Sequence, residues 1–373
     1  MTLSRAFDIA IVGAGIVGAA CAAEFARAGM RVVVIERDLI GGGATAAGMG
    51  HIVVMDDSEA QFALTSYSQR LWRDLVPQLT PDGEYESAGT IWVAADDEEM
   101  REVQRKHEFY GGRGIPTEIL EAKALIEAEP NLRAGLAGGL LVPNDAVLYP
   151  PVAATFLLRS AGCEVMTGKS VARIEGGRVV LGDGSFVSAG TVVNATGSLS
   201  SELSAGLAVT PRKGHLVITE RYPSFIHHQL VELGYLKSAH SVSADSVAFN
   251  VQPRQTGQVL IGSSRQYGAL DSSVNPHIVT AMLLRAVEYM PQLAKLKTIR
   301  TWTGFRAATP DKLPLIGPSE TPGVYLATGH EGLGITTSLA TAKLLVDQVL
   351  GRTPEIPFEP YLPSRLAKVR SHA

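Results

Sequence analysis

Residues 8–51 read DIAIVGAGIVGAACAAEFARAGMRVVVIERDLIGGGATAAGMGH, and the reading of this stretch decides the fold. Asp8 to Val12 form a short apolar run ending in glycine, the pattern of a strand buried on both faces. Ala19, Ala20, Ala22, Ala23, Phe25 and Ala26 then give a small-residue helix that stops at Gly29. Met30 to Ile35 make a second buried strand, so residues 8–36 predict one βαβ unit. Gly13, Gly15 and Gly18 spell GxGxxG between strand and helix. The first glycine permits a tight turn. The second lets backbone amides at the helix start, at Ile16 and Val17, approach a pyrophosphate, and the third lets helix and strand pack closely. Glu36, followed by Arg37, ends the second strand, where a carboxylate can accept both hydroxyls of an adenosine ribose and speaks against a 2′-phosphate. This context predicts a dinucleotide site and leaves NAD and FAD both open.

Other segments bear on that choice. After Gly41-Gly42-Gly43, small residues continue through Ala44, Thr45, Ala46 and Gly48 to Met49 and His51. A chain wrapping over a pyrophosphate toward a tricyclic ring needs such residues, and a flexible surface loop is the other reading. Further on, TVVNATGSLS closes a strand with Ala195, Thr196 and Gly197. Near the end, ATGHEGLGITTSLATAKLL sets a second helix start after a strand, with Gly329, His330, Gly332, Leu333, Gly334, Ile335 and Thr336 at the turn. A helix terminus there carries positive partial charge, suited to the N1–C2=O edge of a reduced flavin. His51 and His330 lie on the two Gly-rich turns, where each either touches cofactor or substrate or is a satisfied structural histidine.

Composition narrows the function classes. The chain has 373 residues, 46% hydrophobic and 19% charged, enough for a sizeable core. A net charge of −4 and a pI near 6.2 leave no basic footprint for nucleic acid. Cys21 and Cys163 stand far apart without CxxC spacing, which argues against a disulfide framework or zinc site and points to packed thiols. His227, His228 and His240 lack a second-ligand pattern, so no metal site is expected. The N-terminus enters directly into a strand and no apolar run has spanning length, so no transmembrane segment is expected and the location is expected to be cytoplasmic, or peripheral to the inner membrane face.

Along the chain, residues 58–76 predict a helix and 80–135 a charged, turn-rich region with a strand at Thr90–Ala94. Residues 170–197 alternate with period two and have hairpin turn signals, 210–220, 245–253 and 257–263 look like strands, and 275–293 like a helix ending near Pro291. Nucleotide-fold character therefore appears at both ends, with β-rich material between.

GAGIVG, Glu36-Arg37, GATAAGM, NATG, GFRAATPDKLPLIG (304–317) and GHEGLGIT (329–336), in that order, resemble the D-amino-acid oxidase and glycine oxidase family of FAD enzymes. Within it the chain is most similar to β subunits of bacterial dye-linked D-hydroxyproline dehydrogenases, with hydrogen cyanide synthase and opine dehydrogenase subunits as near neighbours. The resemblance implies an α/β fold: a discontinuous Rossmann-like FAD-binding domain over 1–80, 141–210 and 301–373, and a β-rich substrate domain of the glycine oxidase type over 81–140 and 211–300. FAD is expected to be noncovalent, because no histidine precedes Ala46-Ala47-Gly48 and no cysteine stands at the C-terminal attachment position.

Carried over residue by residue, Arg306, preceded by Gly304, matches the arginine that holds the substrate carboxylate. A bidentate guanidinium suits that task, although an arginine beside a TPD turn can equally satisfy carbonyls or Asp311. Met49 matches a methionine at the flavin face, or is an ordinary core methionine, and Val171 matches the position whose backbone contacts adenine. Arg306, His51 and Met49 are the candidate catalytic residues. Two departures, Gly332 where glycine oxidase has an arginine and Phe249-Asn250 where the family has an active-site tyrosine, speak against simple glycine oxidation.

The expected activity is dehydrogenation of the α C–N bond of a D-amino or cyclic imino acid, cis-4-hydroxy-D-proline foremost, by hydride transfer to flavin N5. The electron acceptor is other than NAD: a quinone, an electron-transfer protein, or α and γ partner subunits. The alternatives are an oxygen-using glycine or sarcosine oxidase and the FAD-bearing β subunit of a heteromeric opine dehydrogenase.

Overall fold

The computed structural model describes residues 7–234 and 245–366; His240 lies outside them. The chain divides into two compact units, one ending its first segment at Gly83 and resuming at Tyr149–Pro211 and from Phe305, the other comprising Glu84–Leu148 and Arg212–Gly304.

The first unit is built on the βαβ element of the opening stretch. Strand β1 (Phe7–Val12) and strand β2 (Val32–Ile35) pair in parallel and flank helix α1 (Ile16–Arg27) in sequence. The helix ends as expected: Gly29 adopts φ +84°, open to a residue without a Cβ. Strand Phe186–Asn194 runs parallel to β1 on its other side, and Val324–Thr328 follows it, so the sheet is mostly parallel with an antiparallel edge at Leu315–Pro318. Alanines on α1 allow close packing against helices Pro150–Ala161 and Gly334–Leu350, the latter burying Thr336, Ser338, Ala340 and Thr341. The period-two region forms an antiparallel meander, Val171–Glu175, Arg178–Leu181 and Phe186–Asn194, whose last strand also carries the parallel pairing.

An eight-stranded sheet dominates the second unit, and Thr90–Ala94, Gln229–Glu232, Ser246–Pro253 and Gln258–Arg265 lie at its centre. One face packs on helix Pro276–Tyr289 through Ile91, Val93, Leu230, Phe249 and Val251. One finding differs from expectation. Residues 80–135 contain a fifteen-residue helix, Asp97–Gly111, which the charged sequence DEEMREVQRKHEFYG conceals because only a narrow stripe, Val103, Lys106 and Tyr110 among it, is buried. The helix expected over 275–293 and ending near Pro291 spans Pro276–Tyr289, and Pro291–Lys295 forms a 3₁₀ turn after it. No helix among the described residues is long and apolar enough to cross a membrane.

Candidate functional site

The glycine turn is held by backbone contact. Gly13 has φ +104°, and a Cβ there would lie 2.7 Å from the Ala195 carbonyl oxygen; a Cβ on Gly18 would lie 2.0 Å from the carbonyl oxygen of Gly13. Ala195 and Thr196 of the NATG strand end thus sit directly beneath the turn. Asn194 fixes that strand end: its Nδ2 donates to Ser200 O (3.1 Å) and Ser204 Oγ (2.9 Å), and its Oδ1 accepts from Thr196 N and Oγ1. Thr328 Oγ1 adds a bond to Gly197 O.

At the start of α1 the capping residue is Gly15, which brings no side-chain group to the helix end. The opening amides are instead tied from a distance. Ala14 N donates to Glu36 Oε2 at 2.7 Å, and Ile16 N donates to Thr45 Oγ1 at 3.0 Å. Glu36 Oε1 accepts from Asp38 N. Each carboxylate oxygen has a second lone pair, so Glu36 organises the turn while keeping acceptor capacity for ribose hydroxyls. Arg37 points to the exposed Asp38.

The second glycine cluster is a short helix, Gly43–Ala47, rather than a loop. Its only buried residue is Thr45, whereas Ala44 and Ala46 are exposed. Beyond it, Gly48 approaches Ile335: a Cβ on Gly48 would be 3.0 Å from Ile335 Cδ1. Thr336 Oγ1 donates to His51 O (2.8 Å), and Trp72 Nε1 lies 3.1 Å from both the Ile335 and Thr336 carbonyl oxygens. The segment 48–53 and the start of helix Gly334–Leu350 are thereby fastened together, with Met49 and His51 half-buried between. That helix start, after Leu333, also has no side-chain cap, so its partial positive charge is unneutralised by its own residues.

Arg306 stands on strand Thr298–Ala308, whose next residue, Ala307, bridges Glu331. A Cβ on Gly332 would be 3.6 Å from Arg306 Nε, which puts the guanidinium stem against the Gly329–Gly334 turn. Asp311, one of the structural partners the sequence offers for Arg306, is clamped by Arg365 at 2.6 and 3.0 Å. Gly304 belongs to the second unit, and Val171 is half-buried on the meander against the core of the first.

His330 turns its side chain inward, Nε2 lying 3.0 Å from Thr341 Oγ1, and burial pushes its pKa down to about 3. Its imidazole is a neutral internal group packed beneath the turn, with His330 Cβ and Cγ 3.4 and 4.0 Å from where a Cβ on Gly334 would lie. Phe249 likewise faces the core, stacked on Tyr289 at 4.6 Å, so Asn250 alone of that pair points to the opposite face. His227 and His228 surround the buried Glu129, which accepts both their backbone amides and lies 2.8 Å from His228 Nδ1. No group of three metal-ligating side chains occurs among the described residues. Burial holds the Cys21 thiol up at about 12, an inert packed group.

Asn194, Trp72 and Thr328 were not candidates on sequence grounds. Asn194 was the most accessible of them, since it stands inside NATG; Trp72 carries no local signal.

The residues fit a dinucleotide. A helix start after Leu333 without a side-chain cap, the start of α1 whose own cap residue Gly15 brings no side chain and which is tied only by the Thr45 hydroxyl, a turn in which Gly13 and Gly18 admit no Cβ, and a carboxylate at the end of β2 match the requirements of a pyrophosphate and a ribose. A family model described as DAO, FAD dependent oxidoreductase, matches residues 8–348. Glycine oxidase of Geobacillus kaustophilus is 28% identical over 93% of this chain and 94% of its own. The hydrogen cyanide synthase subunit HcnC of Pseudomonas aeruginosa is 27% identical, with 97% of each chain covered. The crystal structure of the Geobacillus kaustophilus glycine oxidase superposes with a TM-score of 0.86 over 95% of this chain and 98% of that one, at 27% identity.

Proposed function

The chain belongs to the DAO family of FAD dependent oxidoreductases, and from that membership we propose that it dehydrogenates the α C–N bond of a D-amino or cyclic imino acid, with cis-4-hydroxy-D-proline as the foremost candidate. FAD, bound noncovalently, supplies the hydride acceptor. Glu36 would hold the ribose, and the starts of α1 and of helix Gly334–Leu350, with segment 44–49, would hold the pyrophosphate and the flavin.

The observation that carries the reading is the position of Arg306 beside Gly332, within one turn of a helix start that has no side-chain cap. A planar guanidinium there grips a carboxylate with two parallel bonds and fixes the direction of the α C–H. A substrate amine that enters neutral needs no protein base, which agrees with the inward-facing, uncharged His330.

Likeness to a hydrogen cyanide synthase subunit supports a chain that passes electrons within a multisubunit assembly. Likeness to glycine oxidase supports the second reading, an oxygen-using oxidase of glycine or a related small amine. The purified holoprotein decides between them: anaerobic cis-4-hydroxy-D-proline bleaches the flavin under the first reading, with little hydrogen peroxide formed in air. Peroxide formation from glycine without an added acceptor establishes the second. No bleaching by any D-amino acid, imino acid or opine would sink both.

A further inference from the structure

Arg365 makes every hydrogen bond that its guanidinium can donate. Nε donates to Asp311 Oδ2 at 2.6 Å and Nη2 to Asp311 Oδ1 at 3.0 Å. Nη2 also donates to Leu313 O at 2.6 Å, and Nη1 donates to Pro314 O at 2.9 Å and to Leu362 O at 3.2 Å. The five N–H donors of an arginine are thereby all in use, and the side chain is 15% exposed. Four of the five bonds go to one turn, Thr309–Pro314.

That turn is poorly held from within. Pro310 and Pro314 have no backbone N–H to donate, and Lys312 has φ +62°, a left-handed conformation that a residue with a Cβ adopts at a cost. Its internal bonds are Leu313 N to Asp311 Oδ1 at 3.2 Å, Thr309 Oγ1 to Leu313 O at 2.8 Å and Lys312 N to Thr309 O at 3.3 Å. Arg365 supplies the rest from the C-terminal segment, which is itself fastened. Tyr361 Oη donates to Ala60 O at 2.6 Å. Leu362 Cδ2 lies 3.0 Å from where a Cβ on Gly317 would be. Leu366 packs on the buried cluster of Val209, Ala307, Leu315 and Leu326.

The turn carries the end of the strand that bears Arg306. Ala307, the next residue, belongs to the cluster on which Leu366 packs, and its carbonyl oxygen accepts from Glu331 N at 2.9 Å. Thr309 Cγ2 lies 2.6 Å from where a Cβ on Gly329 would be. The backbone that flanks Arg306 is therefore held both by the Gly329–Gly334 turn and by the C-terminal segment. A guanidinium that must direct a substrate's α C–H depends on such support, because a misplacement of about 1 Å lowers a rate about a hundredfold. We propose that Arg365 is a positioning residue for Arg306: through the Asp311 turn it fixes the backbone from which Arg306 reaches the substrate carboxylate. This rests on the reading of Arg306 as the carboxylate anchor, and it assigns a task in that reading to a residue more than fifty positions away.

The test follows anaerobic flavin reduction of the holoenzyme, using whichever of cis-4-hydroxy-D-proline, D-proline, D-alanine and glycine reduces the wild type fastest. Arg365→Gln lowers the rate at saturating substrate about tenfold, with the resting flavin spectrum unchanged. Arg365→Lys, which keeps the charge beside Asp311 and loses the fork, falls between Gln and wild type. In an Arg306→Lys background, Arg365→Gln lowers the rate less than about twofold, since the geometry it protects is already lost. A wild-type rate in both Arg365 variants, at any melting temperature, makes Arg365 a structural staple and overturns the inference while the proposed function stands. An equal loss in both backgrounds overturns it too, because Arg365 then acts independently of Arg306, and so does loss of bound flavin in both Arg365 variants. Unchanged reduction in Arg306→Lys and Arg306→Ala, or reduction of wild type by none of the four compounds, overturns the functional reading, and the inference with it.

Discussion

Thr45 Oγ1 accepts the backbone N–H of Ile16 at 3.0 Å, across 29 residues of sequence. The hydroxyl of one Gly-rich segment thus caps the helix that the other opens, and Thr45 is the buried member of an otherwise exposed or half-buried short helix. The bond fixes where segment 44–49 lies relative to the start of α1.

Thr45→Val removes that cap at nearly constant volume. Loss of a helix-start acceptor costs about 1 kcal/mol, so FAD affinity of the apoprotein is expected to weaken about five- to tenfold. Thr45→Ser, which keeps the oxygen, should stay within about twofold of wild type. Quenching of flavin fluorescence during titration measures both, and equal affinities for Val and Ser would show that the hydroxyl is idle.

Gly18 tests the turn itself. A Cβ there meets the Gly13 carbonyl oxygen at 2.0 Å, a backbone atom that cannot swing aside. Gly18→Ala is therefore expected to destabilise the protein by about 2–4 kcal/mol and to abolish FAD retention on purification. Gly111, at the end of helix Asp97–Gly111, has nothing within 4 Å of a Cβ. Gly111→Ala should instead raise stability by up to about 1 kcal/mol in urea denaturation.

The difference between these two glycines also explains what could be read from sequence. GxGxxG, β1, α1, β2 and Gly29 are local: each follows from periodicity or from a backbone requirement within a few residues. Helix Asp97–Gly111 escaped because charge masks its narrow buried stripe. Trp72 escaped for another reason. Its indole donates to carbonyl oxygens of Ile335 and Thr336, 263 and 264 residues away, and no pattern around Trp72 anticipates a partner so remote. For Phe249-Asn250 the sequence gives two adjacent residues, and strand alternation decides that Phe249 enters the core.

His330 makes stability fall in acid. Burial lowers its folded pKa to about 3, below the ordinary imidazole value of 6.5. Between those values the unfolded chain binds a proton that the folded chain refuses, so the group's contribution is complete above pH 6.5 and is lost progressively as pH falls toward 3. At about 1.4 kcal/mol per unit, that loss is on the order of a few kcal/mol. His330→Gln, which cannot protonate, should flatten the decline over that window when urea midpoints are compared from pH 7 to pH 4. An unchanged slope would place the acid lability elsewhere, for instance at the Asp311 carboxyl: burial raises its pKa, but the hydrogen bonds and charge of Arg365 prevail and hold it below the ordinary range.

Arg306 carries the heaviest functional burden, and lysine is its most informative replacement. Arg306→Lys keeps the charge and loses the fork, so a substrate carboxylate is still attracted but no longer held in one plane. Misdirection of the α C–H should then lower the rate of flavin reduction at saturating substrate by about a hundredfold, with a smaller rise in the substrate concentration needed for half-saturation. Arg306→Ala removes attraction as well, so both quantities deteriorate. Neither variant should alter the flavin spectrum of the resting protein if Arg306 acts on the substrate rather than in holding FAD. A lost or shifted spectrum would instead make Arg306 part of the cofactor's own support, beside the turn where Gly332 leaves it space.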